Sequence, residues 1–146
     1  MNKIVPTIPS SVYGKLGLSH LPRLWQKSLL SASGLLADGY KDIGPGYDHM
    51  VLTAIGIDPD AARTYIASEK PTFVAFERWI ESQPGVRLDA KTIADSNAAV
   101  AGYNHDESTR AEILSAAGIP DNGTILGAVE LNFIDDLTAF HASVTA

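Results

Sequence analysis

Cysteine is missing from this 146-residue sequence. Its absence excludes disulfide frameworks, thiolate zinc sites, iron–sulfur clusters and cysteine nucleophiles. The sequence also lacks a GxSxG serine motif, a phosphate-binding glycine loop and a dinucleotide-binding fingerprint. The four histidines show neither HExxH nor HxxxH spacing, so we expect no metal site and no cofactor.

Positive charge is scarce, with 11 lysines and arginines against 17 acidic residues, a net charge of −6 and no basic run. Proteins that bind nucleic acid through its phosphates need clustered lysine and arginine, so no nucleic-acid partner is expected. Residues 1–9 carry one charge and two prolines, which fits neither a signal peptide nor a membrane span. We therefore expect a cytoplasmic protein without a membrane partner.

No stretch alternates polar and apolar residues for long enough to predict a strand. Apolar residues recur instead at helical spacing, between boundaries of proline, glycine and aspartate. The pattern predicts an all-α fold, a single compact domain of six or seven short helices. Residues 1–18 contain four proline or glycine residues and no sustained period, which predicts an extended N-terminal arm before a helical domain of residues 19–146.

The first helix is predicted over residues 20 to 37, ending near Gly39. We expect Ser19 to cap it and Pro22 to fit its first turn, where amide N–H groups have no helical partner. Its predicted apolar stripe consists of Leu21, Leu24, Trp25, Ser28, Ala32 and Leu35. Arg23 and Lys27 lie off the centre of that stripe. They suit either a polar site beside a buried aromatic face or an ordinary core helix whose basic side chains extend to solvent.

Boundary residues predict the remaining helices at about 47–55, 59–67, 71–82, 90–102, 106–118 and 125–142. Asp58 and Pro59 mark the clearest start, because aspartate caps a helix and proline suits its first position. Asn132 is a point at which the last helix could break. Residues 40–48 form a loop rich in glycine, proline, tyrosine and aspartate, and such loops often carry functional groups.

Several short motifs resemble those of a known family: Leu21-Pro22-Arg23 followed by Lys27, the loop residues Tyr40, Pro45 and Asp48, and Gly56-Ile57-Asp58. The sequence is similar to an uncharacterised bacterial family of small helical proteins, the domain of unknown function numbered five-zero-six-nine. Asn97 falls where members of that family often have a Trp-Asn pair. The resemblance implies a helical fold and no known activity. Residues 28–32 are uncharged where family members are strongly charged, which suggests a cavity or an interface particular to this chain.

Asp48 and His49 offer the most suggestive chemistry, since an imidazole beside a carboxylate can act as a general base. Adjacent helical residues point about 100° apart, however, so a capping aspartate beside a surface histidine is the plainer interpretation. We predict that Arg23, Tyr40, Asp48 and His49 line one pocket. In it Arg23 stabilises an anion, His49 is the base, and Tyr40 and Asp48 orient the substrate. The alternative is that Arg23 simply pairs with Asp48 or another carboxylate to hold the loop.

Trp25, Lys27, Tyr47 and Asn97 are the predicted substrate-binding residues, with Trp25 as an apolar wall. The resulting hypothesis is a small cofactor-independent enzyme that acts on an apolar small molecule by general acid–base chemistry, as a lyase, isomerase or hydrolase. The alternative is a non-catalytic helical binding or dimerisation module. In that case the 45% of hydrophobic residues would include a face for a homodimer or another partner.

Overall fold

A computed structural model of the chain describes residues 2–146 and contains seven helices in that range. They are α1 (Leu21–Ala32), α2 (Tyr47–Ala54), α3 (Pro59–Glu69), α4 (Phe73–Ser82), α5 (Ala90–Gly102), α6 (Glu107–Ala117) and α7 (Ala128–Thr145). Residues 2–146 form no sheet, and the two isolated backbone bridges join Ile4 to Leu36 and Asn104 to Gly127. The prediction of an all-α fold is confirmed. None of these seven helices combines the length and the apolar character that crossing a membrane requires.

Side-chain caps begin four of the helices. Asp58, Thr72, Asp89 and Asp106 accept backbone N–H bonds in the first turns of α3, α4, α5 and α6. These boundaries lie close to the predicted ones, because capping rules depend on neighbouring residues alone. The predicted cap of α1 is wrong, since the N-cap position belongs to His20 and not to Ser19.

The first helix ends at Ala32, well before the predicted end near residue 37. Gly34 N donates to Ser31 O at 3.0 Å, and Leu35 N donates to Leu30 O at 2.8 Å. This pair of bonds is a Schellman motif, which needs a residue with a left-handed backbone after the last helical turn. Gly34 supplies it with a φ of 70°, a conformation that glycine adopts without steric cost.

The last helix differs from the prediction in the opposite way, because α7 runs unbroken from Ala128 to Thr145. The predicted break at Asn132 does not occur. The Asn132 Oδ1 atom lies 2.7 Å from His105 Nε2, so its amide bonds outward to a neighbouring loop and does not compete with the helical backbone.

Residues 2–20 form no helix, and part of this segment runs antiparallel to α1. Near the C-terminal end of α1, Ile4 N donates to Leu35 O at 2.6 Å. At the other end, Ser10 Oγ lies 3.0 Å from His20 Nδ1. The segment thus brings Ser10 to the start of α1.

Three apolar clusters hold the helices together. The main cluster holds together the four helices α1, α2, α3 and α4. It contains Leu18, Leu21, Leu24, Ile43, Leu52, Ile55, Ile57, Ala62, Ile66, Phe76 and Ile80. A second cluster of Tyr47, Val51, Val100 and Ala128 joins α2, α5 and α7, and a third of Ile113, Leu114 and Leu131 joins α6 to α7. Charged side chains of α1, α2 and α7 meet between these clusters, and the candidate site lies there.

Candidate functional site

One face of α1 carries three buried basic side chains. His20, Arg23 and Lys27 follow one another at intervals of three and four residues, which places them on the same side of a helix. They are only 1%, 5% and 9% exposed. The interpretation that basic residues of α1 extend to solvent is therefore wrong for Arg23 and Lys27.

Asp48, at the start of α2, is the partner of two of these residues. Its Oδ1 lies 2.6 Å from His20 Nε2, and its Oδ2 accepts bonds from Lys27 Nζ at 2.5 Å and Gly44 N at 2.6 Å. Burial by itself would raise the pKa of Asp48, but the hydrogen bond from His20 and the charge of Lys27 lower it to about 2. Asp48 is thus a fixed anion that joins α1, α2 and the loop between them.

His20 connects Asp48 to Ser10. Burial lowers the pKa of His20, so the ring is neutral, with Nε2–H donating to Asp48 and Nδ1 accepting from the Ser10 hydroxyl at 3.0 Å. The contacts follow the order Ser–His–Asp of a hydrolase triad. Ser10 is only 1% exposed, however, so a substrate cannot reach its hydroxyl. This chain of contacts therefore orders the start of α1 and does not supply a nucleophile.

The backbone of His20 is also unusual, because its φ of 76° lies in the left-handed region. Residues other than glycine rarely adopt this conformation, and histidine tolerates it better than most. Such a conformation persists where surrounding contacts fix it, and it is often found at functional sites. Here the contacts of both ring nitrogens fix it.

Arg23 pairs with a carboxylate of the last helix. Its Nη1 and Nη2 donate to the two oxygens of Asp136 at 2.5 and 3.0 Å, and Tyr40 Oη donates to the same carboxylate at 3.0 Å. Asp136 is fully buried. Burial and the charge of Asp136 raise the pKa of Tyr40 above the usual range for a phenol. Arg23 therefore pairs with a carboxylate, as the alternative interpretation of the sequence allowed. Its partner is Asp136 and not Asp48.

A pocket of about 260 Å³ opens above these pairs, between α1, α2 and α7. Five of the eight predicted site residues line it: Arg23, Lys27, Tyr40, Tyr47 and Asp48. Tyr47 is held in place because its hydroxyl donates to Val100 O at 2.6 Å, and its ring centroid lies 5.0 Å from that of His20. Burial, followed by the charge of Glu130, raises the pKa of Tyr47 to about 12.

The other three predicted residues lie elsewhere. His49 is partly exposed and is not among the residues of 2–146 that line the pocket, because it points away from its neighbour Asp48 on α2. Trp25 packs on the main cluster and donates from Nε1 to Pro71 O at 2.9 Å. Asn97 bonds Ser19 N and Gly17 O, at 2.9 and 2.7 Å, and so holds the turn before α1. The prediction that His49 and Trp25 share the pocket is wrong.

Four residues of the far wall are absent from the predicted set: Tyr103, His105, Asn132 and Asp135. The tautomer of His105 follows from its partner, since Asn132 Oδ1 is an acceptor and His105 Nε2 must donate to it. His105 Nδ1 then carries a lone pair. Partial burial raises the pKa of Asp135, although the charge of Arg23 opposes that shift.

Two signals in the sequence could have located this site. The first is the spacing of His20, Arg23 and Lys27, which is the helical spacing of a buried stripe. The second is the group of Asn132, Asp135 and Asp136, which share one face of the C-terminal helix between apolar residues, because polar residues on a buried face need partners.

Within residues 2–146, histidine, aspartate and glutamate side chains do not gather in a group of three or more that could hold a metal ion. The arrangement instead offers fixed ion pairs at the base of the pocket and two further titratable groups, His105 and Asp135, at its wall. A scan against protein-family models and a search of curated proteins both find no match to this chain.

Proposed function

We propose that this pocket is the active site of a small cofactor-independent enzyme that uses general acid–base chemistry, as a lyase, isomerase or hydrolase. One observation carries the proposal: His105 and Asp135 face a pocket in which the charges of Arg23 and Lys27 already have buried partners. Asp48 is held in its ion pair, whereas the His105 ring and the Asp135 carboxylate line the pocket without an ion-pair partner among residues 2–146.

His105 is the proposed base, in place of His49. A hydrogen bond to one ring nitrogen fixes the tautomer of a histidine and leaves the other nitrogen to accept a proton. The 2.7 Å contact between His105 Nε2 and Asn132 Oδ1 has this effect. Asn132 is therefore a positioning residue, while Lys27, whose ammonium has further N–H groups beyond its bond to Asp48, is the proposed contact for oxygen atoms of the substrate.

The proposed substrate is polar. In the described part of the chain, the lining contains no aliphatic side chain, and its apolar elements are the rings of Tyr40, Tyr47 and Tyr103. An apolar ligand would remove water from Asp135, the lining carboxylate without an ion-pair partner among residues 2–146, and such desolvation is costly. The apolar small molecule expected from the sequence is therefore replaced in this proposal by a polar one. A cytoplasmic location and membership of the family numbered five-zero-six-nine remain predictions from the sequence.

Proton exchange tests the enzymatic proposal directly. Purified protein is incubated in heavy water with a panel of small hydroxy acids, amines and carbonyl compounds, and deuterium incorporation and new products are followed by NMR. We expect at least one compound to react, and His105→Ala to slow that reaction by roughly 100-fold or more, the usual contribution of a general base. His49→Ala is the matched control and should leave the rate unchanged. Loss of the reaction in His49→Ala but not in His105→Ala would contradict the assignment.

A second candidate function, dimerisation, is favoured by the outer face of α7. Phe133, Leu137, Phe140 and Val144 lie at intervals of four, three and four residues and are 40%, 48%, 49% and 63% exposed. Apolar residues at this spacing form the contact seam of paired helices. Residues 137–146 contain no acidic residue, lysine or arginine, so two copies of this segment would not repel each other through such charges.

Sedimentation of the purified protein tests this second candidate. A homodimer that uses the seam should dissociate in the double variant Leu137→Ser and Phe140→Ser. The control is the single variant Val74→Ser, because Val74 is exposed on α4 away from the seam. This variant should sediment like the unaltered chain. If the unaltered chain sediments as a monomer at all concentrations, dimerisation is rejected as a function.

A further inference from the structure

We infer that the pocket selects small molecules that carry a protonated amine, with the ammonium group beside Asp135 and the hydroxyphenyl rings of the pocket. The inference deepens the proposed function, because it concerns the same pocket and gives a charge to its substrate. It rests on the balance of charges around the pocket and on the aromatic surface within it.

Each cation at the base of the pocket is already neutralised. Lys27 Nζ lies 2.5 Å from Asp48, and Arg23 contacts Asp136 through two nitrogens, the shorter contact also being 2.5 Å. Arg23 is 5% exposed, and its Nη1 also donates to Ile8 O at 3.1 Å. An anionic ligand would therefore have to compete with buried carboxylates for these cations, which favours a ligand of the opposite charge.

Asp135 is the lining carboxylate without such a partner. Among residues 2–146, Asp48 and Asp136 have an ion pair with α1, whereas Asp135 is exposed at the wall of the pocket and accepts no hydrogen bond from a cationic side chain. Counting Arg23, Lys27, Asp48, Asp136 and Asp135, the fixed charges sum to one negative charge when all are ionised. A ligand with one positive charge would neutralise it.

Tyrosine rings line the same pocket as Asp135. The centroids of Tyr47 and Tyr103 are 5.2 Å apart, and Tyr103 meets His105 edge-on at 6.1 Å. The faces of tyrosine rings attract cations through their quadrupole, and the attraction grows where water is partly excluded. A carboxylate beside several such rings is a combination that recognises ammonium groups, whereas the same rings give an anion no favourable face.

Three compounds of matched size and different charge test the inference: aminobutanol, butanediol and hydroxybutyrate. Binding to the full chain is measured near neutral pH by NMR titration. We expect aminobutanol to bind with the lowest Kd and Asp135→Asn to weaken that binding at least about tenfold. Glu112→Gln is the matched control, because Glu112 lies exposed on α6 and its loss changes the net charge by the same amount. It should leave the Kd unchanged.

Tighter binding of hydroxybutyrate or butanediol, or no saturable response to aminobutanol, would overturn the inference. Equal effects of Asp135→Asn and Glu112→Gln would overturn it as well, since only the overall charge would then matter. The outcome is separable from that of the proposed function. If aminobutanol binds but the chain catalyses no proton exchange, the amine site is supported and the enzymatic proposal is rejected. If the chain turns over neutral compounds alone, the enzymatic proposal is supported and the amine site is rejected.

Discussion

Lys27 Nζ and Asp48 Oδ2 are 2.5 Å apart, and both side chains are almost completely removed from solvent. Removing two charges from water costs several kcal/mol for each ion, which their attraction and further hydrogen bonds must offset. Asp48 has those further bonds, from His20 and from Gly44 N. The pair therefore depends on a complete set of partners, and loss of one partner should lower the free energy of unfolding substantially.

The variant Asp48→Asn should lower the free energy of unfolding by roughly 3 to 5 kcal/mol, because it leaves Lys27 buried without a counter-charge. Urea unfolding followed by circular dichroism measures the change. Asp95→Asn is the control, since Asp95 forms an exposed pair with Lys91 at 2.7 Å and exposed pairs contribute less than about 1 kcal/mol. Equal losses in the two variants would show that burial of the Lys27 pair has no energetic consequence.

Stability should decrease with acidification in two stages. The pKa of His20 is below its ordinary value of 6.5 in the folded chain, so the unfolded chain binds a proton first and stability declines as the pH falls below about 6.5. Asp48 has an ordinary pKa of 3.8 that folding lowers to about 2, and its contribution of about 2 kcal/mol disappears between those values. Urea midpoints measured across this range test both stages.

His20→Asn isolates the first of these stages. Asparagine tolerates a left-handed backbone and does not titrate, so the variant should be less stable than the original chain but should lose less stability between about pH 7 and pH 5. An unchanged pH dependence in this variant would mean that another group is responsible.

Two glycine substitutions should have opposite effects. Gly34→Ala should destabilise the chain by about 1 to 2 kcal/mol, because the φ of 70° disfavours any Cβ, although beyond its chain neighbours no atom of residues 2–146 would lie within 4 Å of that Cβ. Gly102→Ala should be neutral or stabilise by up to about 1 kcal/mol, since Gly102 is the last residue of α5 and a Cβ there would meet no described atom within 4 Å beyond the local helix backbone. Thermal unfolding of the two variants distinguishes backbone strain from packing.

Leu24→Ala should cost about 2 to 5 kcal/mol, because Leu24 is fully buried in the main cluster. Pro22→Ala in the same turn of α1 should be mild, since a proline there mainly restricts the unfolded chain. Similar losses in both variants, measured by urea unfolding, would argue that the start of α1 and not its buried face sets the stability.

The sequence predicted those parts of the fold that depend on neighbouring residues. Asp58 caps α3 as predicted, because a cap and the first turn of its helix lie within four residues of each other. The end of α1 differs from the prediction because Gly34 follows a run of residues that suit a helix, and its Schellman bonds depend on a backbone conformation that residue spacing does not report.

The site was predicted in part, for a related reason. The residues of α1, α2 and their loop meet as expected, but the partner of Arg23 is 113 residues away in the sequence. Helical spacing cannot identify a carboxylate at that distance, because it reports only which face of its own helix a residue occupies. The same limit applies to His105 and Asp135, which approach the pocket only through the packing of α7 against the rest of the chain.

The ion pair between Arg23 and Asp136 also sets an order of events during synthesis. The chain is made from its N-terminus and a domain folds as a unit, and Asp136 on α7 is made 113 residues after Arg23 on α1. Until α7 has been made, Arg23 and the Tyr40 hydroxyl lack the carboxylate that both contact in the finished protein. A prematurely ended chain would thus expose an uncompensated guanidinium where the pocket should be. The ribosome must therefore complete α7 before a ligand finds its binding site.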